Sequence, residues 1–177
     1  ELLQRTLAEL RETTRVAALV GDLATDRDAQ RLAQSGAPVR QITTGTVCHL
    51  DAQMVESALH DWNLDALDVL FIENVGNLVC PASYDLGEHA RDVLMAVTEG
   101  EDKPRKYPTI FDTADVVLIT KIDLAEAVQF HRDEAIASIR SIQPKLPVIE
   151  VSCRIPSGIS NCLNWVDTRM LQESRGA

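Results

Sequence analysis

The sequence has no apolar stretch long enough to cross a membrane, no signal-peptide pattern at its start, no surplus of positive charge and no dense framework of cysteines. A membrane-spanning helix needs about 20 consecutive apolar residues, so none is expected, and no membrane partner with it. Basic residues number 17 against 27 acidic ones, a net charge of −10. General binding to nucleic acid or anionic lipid needs clustered Lys and Arg, so neither partner is expected. The acidic balance suits cation handling and equally suits an ordinary solvated surface. Four cysteines in 177 residues imply a reducing, cytoplasmic setting, with thiols serving as ligands or packing residues rather than as disulfides.

What is present is an alternation of short apolar runs and helical patterns. Strands are expected over 15–20, 39–42, 67–72, 90–97, 114–119 and 147–151. Helices are expected over 1–13, 26–34, 52–60, 132–142 and 161–171, with 172–177 frayed. Leu2, Leu3, Leu7 and Leu10 give the first helix its apolar stripe. Asp51 is placed to cap the helix that follows it. Strict alternation implies crossover connections, hence an α/β fold: a mostly parallel sheet with helices on both faces. No repeat, low-complexity tract or linker interrupts it, so one domain over 1–177 is expected.

Open α/β sheets bind ligands beyond the carboxyl ends of their strands, and three such ends here carry chemistry. In Thr120-Lys121-Ile122-Asp123, the Asp123 carboxylate can accept two hydrogen bonds from guanine, at its ring N–H and exocyclic amine. Adenine lacks that donor pair, and a buried mismatch is costly. The stem of Lys121 can lie along the base. The alternative is a strand that simply ends in a charged turn. In Gly21-Asp22-Leu23-Ala24-Thr25-Asp26, Asp22 can face magnesium, directly or through water, and Asp26 can orient an attacking water. The plainer alternative is a strand end at Asp22 and a helix cap at Asp26, which for Asp26 alone is the stronger reading. In Phe71-Ile72-Glu73-Asn74-Val75-Gly76-Asn77-Leu78-Val79-Cys80-Pro81, Glu73 can sit near magnesium and a γ-phosphate, and Gly76 can donate its backbone N–H to that phosphate. Glycine there permits close approach, and loss of such a contact on hydrolysis is how switch loops move.

Cys48, His49 and Cys80 form a candidate metal-ligand set, since thiolate and imidazole suit zinc and nickel. Adjacent residues point to opposite sides of an extended chain, so Cys48 and His49 can share one ion only where the loop bends. Packing is the competing role, because free cysteines are among the most buried residue types. Cys153 and Cys162 are read as packing residues. His60, His89 and His131 have no ligand partner at motif spacing. Leu124 and Val128, four apart, are read either as an exposed apolar edge for a dimer or as core.

Taken together, Gly21-Asp22-Leu23, Cys48-His49-Leu50-Asp51, Glu73 to Pro81, Asp85-Leu86-Gly87-Glu88-His89-Ala90 and Thr98-Glu99-Gly100-Glu101-Asp102-Lys103-Pro104 resemble the hydrogenase-maturation GTPase family HypB, a member of the SIMIBI class of P-loop GTPases. The resemblance covers nearly the whole chain. It implies a GTP-dependent nickel metallochaperone for [NiFe]-hydrogenase, using GTP/GDP and Mg2+, binding nickel or zinc, and working with partner maturation proteins. It also implies a GTP-linked homodimer. Thr120, Lys121 and Asp123 match the family's guanine motif, with Thr120 where asparagine is usual. Ser152, Cys153 and Arg154 match the loop whose backbone meets the base. Cys48, His49 and Cys80 match the family's nucleotide-linked metal site, which two subunits may share. One departure is Val47, where the family commonly has glycine, a change that stiffens the loop.

A glycine-rich phosphate loop with its Lys and Ser or Thr is missing, and neither Gly45 nor Gly76 is followed by that pair. Such a loop supplies most backbone donors to the phosphates. By the resemblance, the strand before the loop, an N-terminal cysteine motif and a histidine-rich segment are also missing. The expected fold is therefore P-loop NTPase-like without its first strand and phosphate loop, a single G-domain incomplete at its N-terminus. The expectation is a truncated sequence, with weak or no GTP binding, no hydrolysis and a marginally stable sheet. Two alternatives stand beside it: a non-enzymatic metal-binding or dimerisation module derived from such a GTPase, and a urease-accessory-type GTPase. The cysteine–histidine set together with the Glu73 to Pro81 run weighs against the latter.

Overall fold

Strands covered on both faces read as unbroken apolar runs, and two runs in this chain do so. Val16-Ala17-Ala18-Leu19-Val20 and Val116-Val117-Leu118-Ile119 are both buried along their length. In the computed structural model, which describes residues 1–176 and side chains through residue 173, each is the middle strand of a three-stranded sheet. The chain gathers into two compact units around these two strands.

The first unit spans Glu1–Gly87 together with the chain from Met170 on. It runs α1 (Leu2–Leu10), β1 (Val16–Asp22), α2 (Arg27–Ala33), β2 (Val39–Thr43), α3 (Ala52–Leu59) and β3 (Val69–Glu73). Its sheet has the order β2-β1-β3, with both pairings parallel. Ala18 lies opposite Val39 on one side and Phe71 on the other. Leu7, Leu10 and Thr6 are the buried face of α1, while Leu2 and Leu3 of the expected stripe are only half-buried. The Arg15 backbone N–H and guanidinium both donate to the Asp68 carboxylate, joining the starts of β1 and β3. That contact holds the Asp68 carboxyl down at about 2.

The second unit spans Glu88–Arg169. It runs β4 (Asp92–Ala96), α4 (Lys103–Lys106), α5 (Pro108–Asp112), β5 (Val116–Thr120), α6 (Arg132–Arg140), β6 (Val148–Glu150) and the first part of α7 (Ser160–Gly176). Its sheet order is β4-β5-β6, again all parallel. Within it, Trp165 on α7 donates its indole N–H to Asp92 at the start of β4, 3.1 Å away.

The parallel α/β fold read from the sequence is therefore present, built as two three-stranded sheets. All six strands fall where expected, within a few residues at either end. The sequence assigns no helix to the stretch after β4, where the structure holds a 3-10 turn over Val97–Glu99 and the short helix α4. Glu99 makes this possible by accepting the Ala96 backbone N–H at 2.6 Å and the Lys103 ammonium. The fraying expected after 171 is also corrected: α7 continues to Gly176. Gln172, Glu173 and Arg175 are good helix formers, and no proline or glycine falls within 172–175 to stop the helix. Ala177 lies outside the described residues.

Candidate metal centre and base-recognition loop

The exits of β2 and β3 carry the metal-ligand candidates. After Thr43 the chain turns at Thr44–Val47, where Val47 N–H donates to the Thr44 carbonyl at 3.2 Å. Gly45 sits in the left-handed region at φ +66°, which a side chain would strain. This bend sets Cys48 Sγ only 4.0 Å from His49 Nδ1. Val47 has no positive φ, so nothing in this backbone demands the family's glycine there. Leu50, fully buried, anchors the loop against β1. A Cβ on Gly21 would stand 2.8 Å from Leu50 Cγ, so the glycine in β1 makes room for that anchor. Asp51 then caps α3 as expected, accepting the Met54 N–H at 2.8 Å.

The ligand atoms of Cys48, His49 and Cys80 all lie within 4.8 Å of one another, and each residue is half-buried. Ions of this class hold ligands at about 2.0–2.3 Å, so ligands sharing one ion stand at most about 4.6 Å apart. The cluster matches that spacing to within a small side-chain adjustment. The structure pairs Cys48 with Cys80 as a disulfide, with Cα atoms 6.3 Å apart. This corrects the expectation of thiols alone. The physical reason is that two cysteines aimed at one ion are also close enough to bond to each other, since disulfides span about 4.4–6.8 Å between Cα atoms. Only the reduced pair offers thiolates to a metal.

Several residues that hold this cluster escaped the sequence reading. Asn77 donates its side-chain N–H to the Cys48 carbonyl at 2.6 Å and accepts the Val79 and Cys80 N–H groups at 3.0 Å each. Asn74 accepts the Leu50 N–H at 2.9 Å and the Val75 N–H at 2.8 Å. The His49 ring stacks on Tyr84, with centroids 3.7 Å apart and planes inclined by 16°. The signal that was present is two asparagines three apart in a loop, the residue type that most readily bonds nearby backbone.

Of the other candidates in this unit, Asp22 ends β1 with one carboxylate oxygen accepting the Ala24 and Thr25 N–H groups at 3.0 and 2.8 Å. These bonds lower its pKa and keep it an anion. Asp26 stands at the N-terminus of α2 without capping it; its carboxylate accepts from Gln30 at 2.6 Å instead. Glu73, at the end of β3, is half-buried, and burial followed by the nearby Asp28 charge raises its pKa. Gly76 is exposed, and a Cβ there would meet nothing within 4 Å. The chain itself therefore does not require glycine at 76, and the open space is available to a ligand.

In the second unit the exits of β5 and β6 come together. Ile122 N–H donates to the Val151 carbonyl at 3.3 Å. Ser152, almost fully buried, donates its hydroxyl to Asp123 and accepts the Arg154 N–H at 3.1 Å. Ser152 N–H in turn donates to the Gly158 carbonyl at 2.9 Å. Lys121 adopts a left-handed backbone at φ 59°, uncommon for a lysine and worth a functional reading. Thr120 is half-buried at the strand end, and Asp123 is exposed. Cys162 is buried as expected, whereas Cys153 is only half-buried, because it lies on this exit loop rather than under it. Leu124 and Val128 are 40% and 41% exposed, so they are not core.

Two parallel sheets that deliver acids, cysteines and an imidazole to their strand carboxyl ends define an α/β protein with its candidate sites at those ends. Comparison with known proteins narrows this. A model of the CobW/HypB/UreG nucleotide-binding domain matches residues 1–150. The hydrogenase maturation factor HypB of Escherichia coli K12 is 44% identical over 168 residues, covering 95% of this chain and 58% of that protein. A probable HypB of Methanocaldococcus jannaschii is 41% identical over 166 residues, covering 94% of this chain and 75% of that protein. The crystal structure of HypB from Helicobacter pylori in complex with nickel superposes with a TM-score of 0.90 at 39% identity, over 97% of this chain and 81% of that one. The chain belongs to the HypB branch of the CobW/HypB/UreG family. It spans a little over half the length of the Escherichia coli relative.

Proposed function

We propose that this chain is the metal-binding and base-recognising part of a GTP-dependent nickel metallochaperone for [NiFe]-hydrogenase maturation. The observation that carries the proposal is the convergence of Cys48, His49 and Cys80 within 4.8 Å. Two thiolates and an imidazole suit nickel or zinc and leave a coordination position for water or for a ligand from a second copy. The HypB relatives, one of them crystallised with nickel, support the choice of cargo. Asp123 would take the guanine N–H pair, with Ser152 fixing its orientation and the Ser152–Cys153 backbone flanking the base. Lys121 and Thr120 would complete that loop. Asp22 and Glu73 are the acids placed for Mg2+, and Gly76 has the open space for a γ-phosphate. Asp26 does not cap α2 and its carboxylate is engaged by Gln30, so it is given neither the cap role nor water activation.

No glycine-rich Lys-Ser/Thr phosphate loop occurs in these 177 residues. This polypeptide alone is therefore expected to bind GTP weakly and not to turn it over. Leu124 and Val128 are the apolar edge for a homodimer, and nickel-handling maturation proteins in the cytoplasm are the partners. No helix among the described residues is long and apolar enough to cross a membrane.

The test is a nickel and zinc titration of the reduced chain against a competing chelator. One tight site per chain is expected, lost in Cys48→Ala, His49→Ala and Cys80→Ala. Unchanged binding in all three variants would overturn the metal assignment. A parallel GDP titration separates the readings: micromolar binding supports the nucleotide-linked form, and metal binding without nucleotide supports a non-enzymatic metal module.

A further inference from the structure

The two cysteines come from strands that are not neighbours. The sheet order is β2-β1-β3, so β1 separates the strands that precede Cys48 and Cys80. At about 4.7–4.9 Å per strand, the two exits start nearly 10 Å apart. Yet the Cα atoms of Cys48 and Cys80 are 6.3 Å apart. The Cys48–Cys80 bond ties the loops across β1 while it is formed; in the reduced chain that binds metal something else must do so, and one side chain touches the backbone of both cysteines. Asn77 donates to the Cys48 carbonyl at 2.6 Å and accepts the Cys80 N–H at 3.0 Å.

We propose that Asn77 is the positioning residue of the Cys48, His49 and Cys80 metal site, setting the two thiolates at a separation one divalent ion can bridge. This rests on the metal reading above. Asparagine is suited to the role because one short side chain supplies both a donor and an acceptor. Its acceptor oxygen forms the turn that presents Cys80, and its amide N–H pulls in the loop that presents Cys48. Asn74 does the corresponding work two residues beyond Cys48, through Leu50 N–H. The stretch 48–50 is thus stapled on both sides of His49, and the stack on Tyr84 limits how the imidazole can turn. Residues that orient ligands without touching the metal commonly contribute about 10- to 100-fold in affinity.

Asn77→Asp separates this role from a general one. It keeps the acceptor for Val79 and Cys80 and replaces the donor to Cys48 with an oxygen that repels the carbonyl. The reduced variant is titrated with nickel(II) against a chelator, the thiolate-to-nickel charge-transfer absorbance is read per bound ion, and the melting temperature is measured without metal. The expected result is nickel affinity about 10- to 100-fold weaker, with altered charge-transfer absorbance per bound nickel and a melting temperature within a few degrees of the parent. Wild-type affinity and spectrum would overturn the proposal. So would a lowered melting temperature with an unchanged spectrum per bound nickel, which marks a merely structural residue. Asn77→Ser keeps an oxygen for the local turn but cannot reach Cys48, and it decides the matter if the aspartate variant does not fold. Cys48→Ala and Cys80→Ala are run alongside. If they bind nickel like the parent, the metal site falls and this inference with it. If they lose nickel while both Asn77 variants bind normally, only the positioning role falls.

Discussion

The loops after β5 and β6 are joined through the backbone, with a side chain added, whereas the loops after β2 and β3 are held together by side chains alone: the Cys48–Cys80 bond and two asparagines. In the second unit, β5 and β6 are adjacent, and the ladder continues past their ends: Val151 N–H donates to the Ile119 carbonyl at 2.9 Å and Ile122 N–H to the Val151 carbonyl at 3.3 Å. Ser152 and Asp123 then add one bond to a frame already set. In the first unit β1 lies between β2 and β3, so no ladder can join their exits. The Cys48–Cys80 bond, Asn74 and Asn77 span the difference. Neighbouring strands hand their register to the loops that follow them. Separated strands need side chains to do so, and those contacts are easier to remove by substitution.

That contrast can be broken most forcefully at two glycines. A Cβ on Gly158 would press into the backbone carbonyl of Ser152, which has no flexible end to move aside. Gly158→Ala is expected to cost about 2–3 kcal/mol and to disturb the Asp123 loop, measured by denaturant unfolding and by GDP titration. Gly21→Ala meets the Leu50 side chain first, a side chain rather than backbone, which can shift. Its cost is expected to be smaller, about 1–2 kcal/mol, with a looser Cys48 loop read as weaker nickel binding. Equal costs would mean that the backbone-against-side-chain distinction has been overdrawn.

Asp51→Ala removes the cap of α3 immediately after the ligand loop and is expected to cost about 1 kcal/mol. Nickel affinity should change less than in Asn77→Asp, because Asp51 bonds its own helix and not the loop across β1. A larger loss of nickel in Asp51→Ala would move the positioning role from Asn77 to the helix start.

The smallest effect is at Glu73. Burial raises its pKa in the folded chain, so above the ordinary glutamate range the folded form still holds a proton that the unfolded chain has released. Stability from this group therefore declines as pH rises from the unfolded value through the raised one. Glu73→Gln should remove that decline and stabilise the chain at neutral pH by less than about 1 kcal/mol. A pH series of melting temperatures for both proteins checks the sign. A parent whose stability rises with pH through that window, relative to the variant, would contradict it.

Much of this was legible in the residues. The strand and helix order followed from apolar periodicity, and the Asp51 cap from its place before a helical stripe. The acids, thiols and imidazole at strand exits followed from where apolar runs stop. Those signals are local, each read within about ten residues. The grouping of Cys48, His49 and Cys80 was read, but the bond between the two cysteines was not, nor were the work of Asn77, Asn74, Tyr84 and Gly21 and the bond from Ser152 to Asp123. Each depends on which strands lie side by side. The sequence by itself determined the parallel α/β class and the chemistry available at the strand ends. Only the tertiary structure decided which contacts join the ends, because side chains reaching across β1 link loops some 30 residues apart, a separation over which side-chain periodicity carries no information.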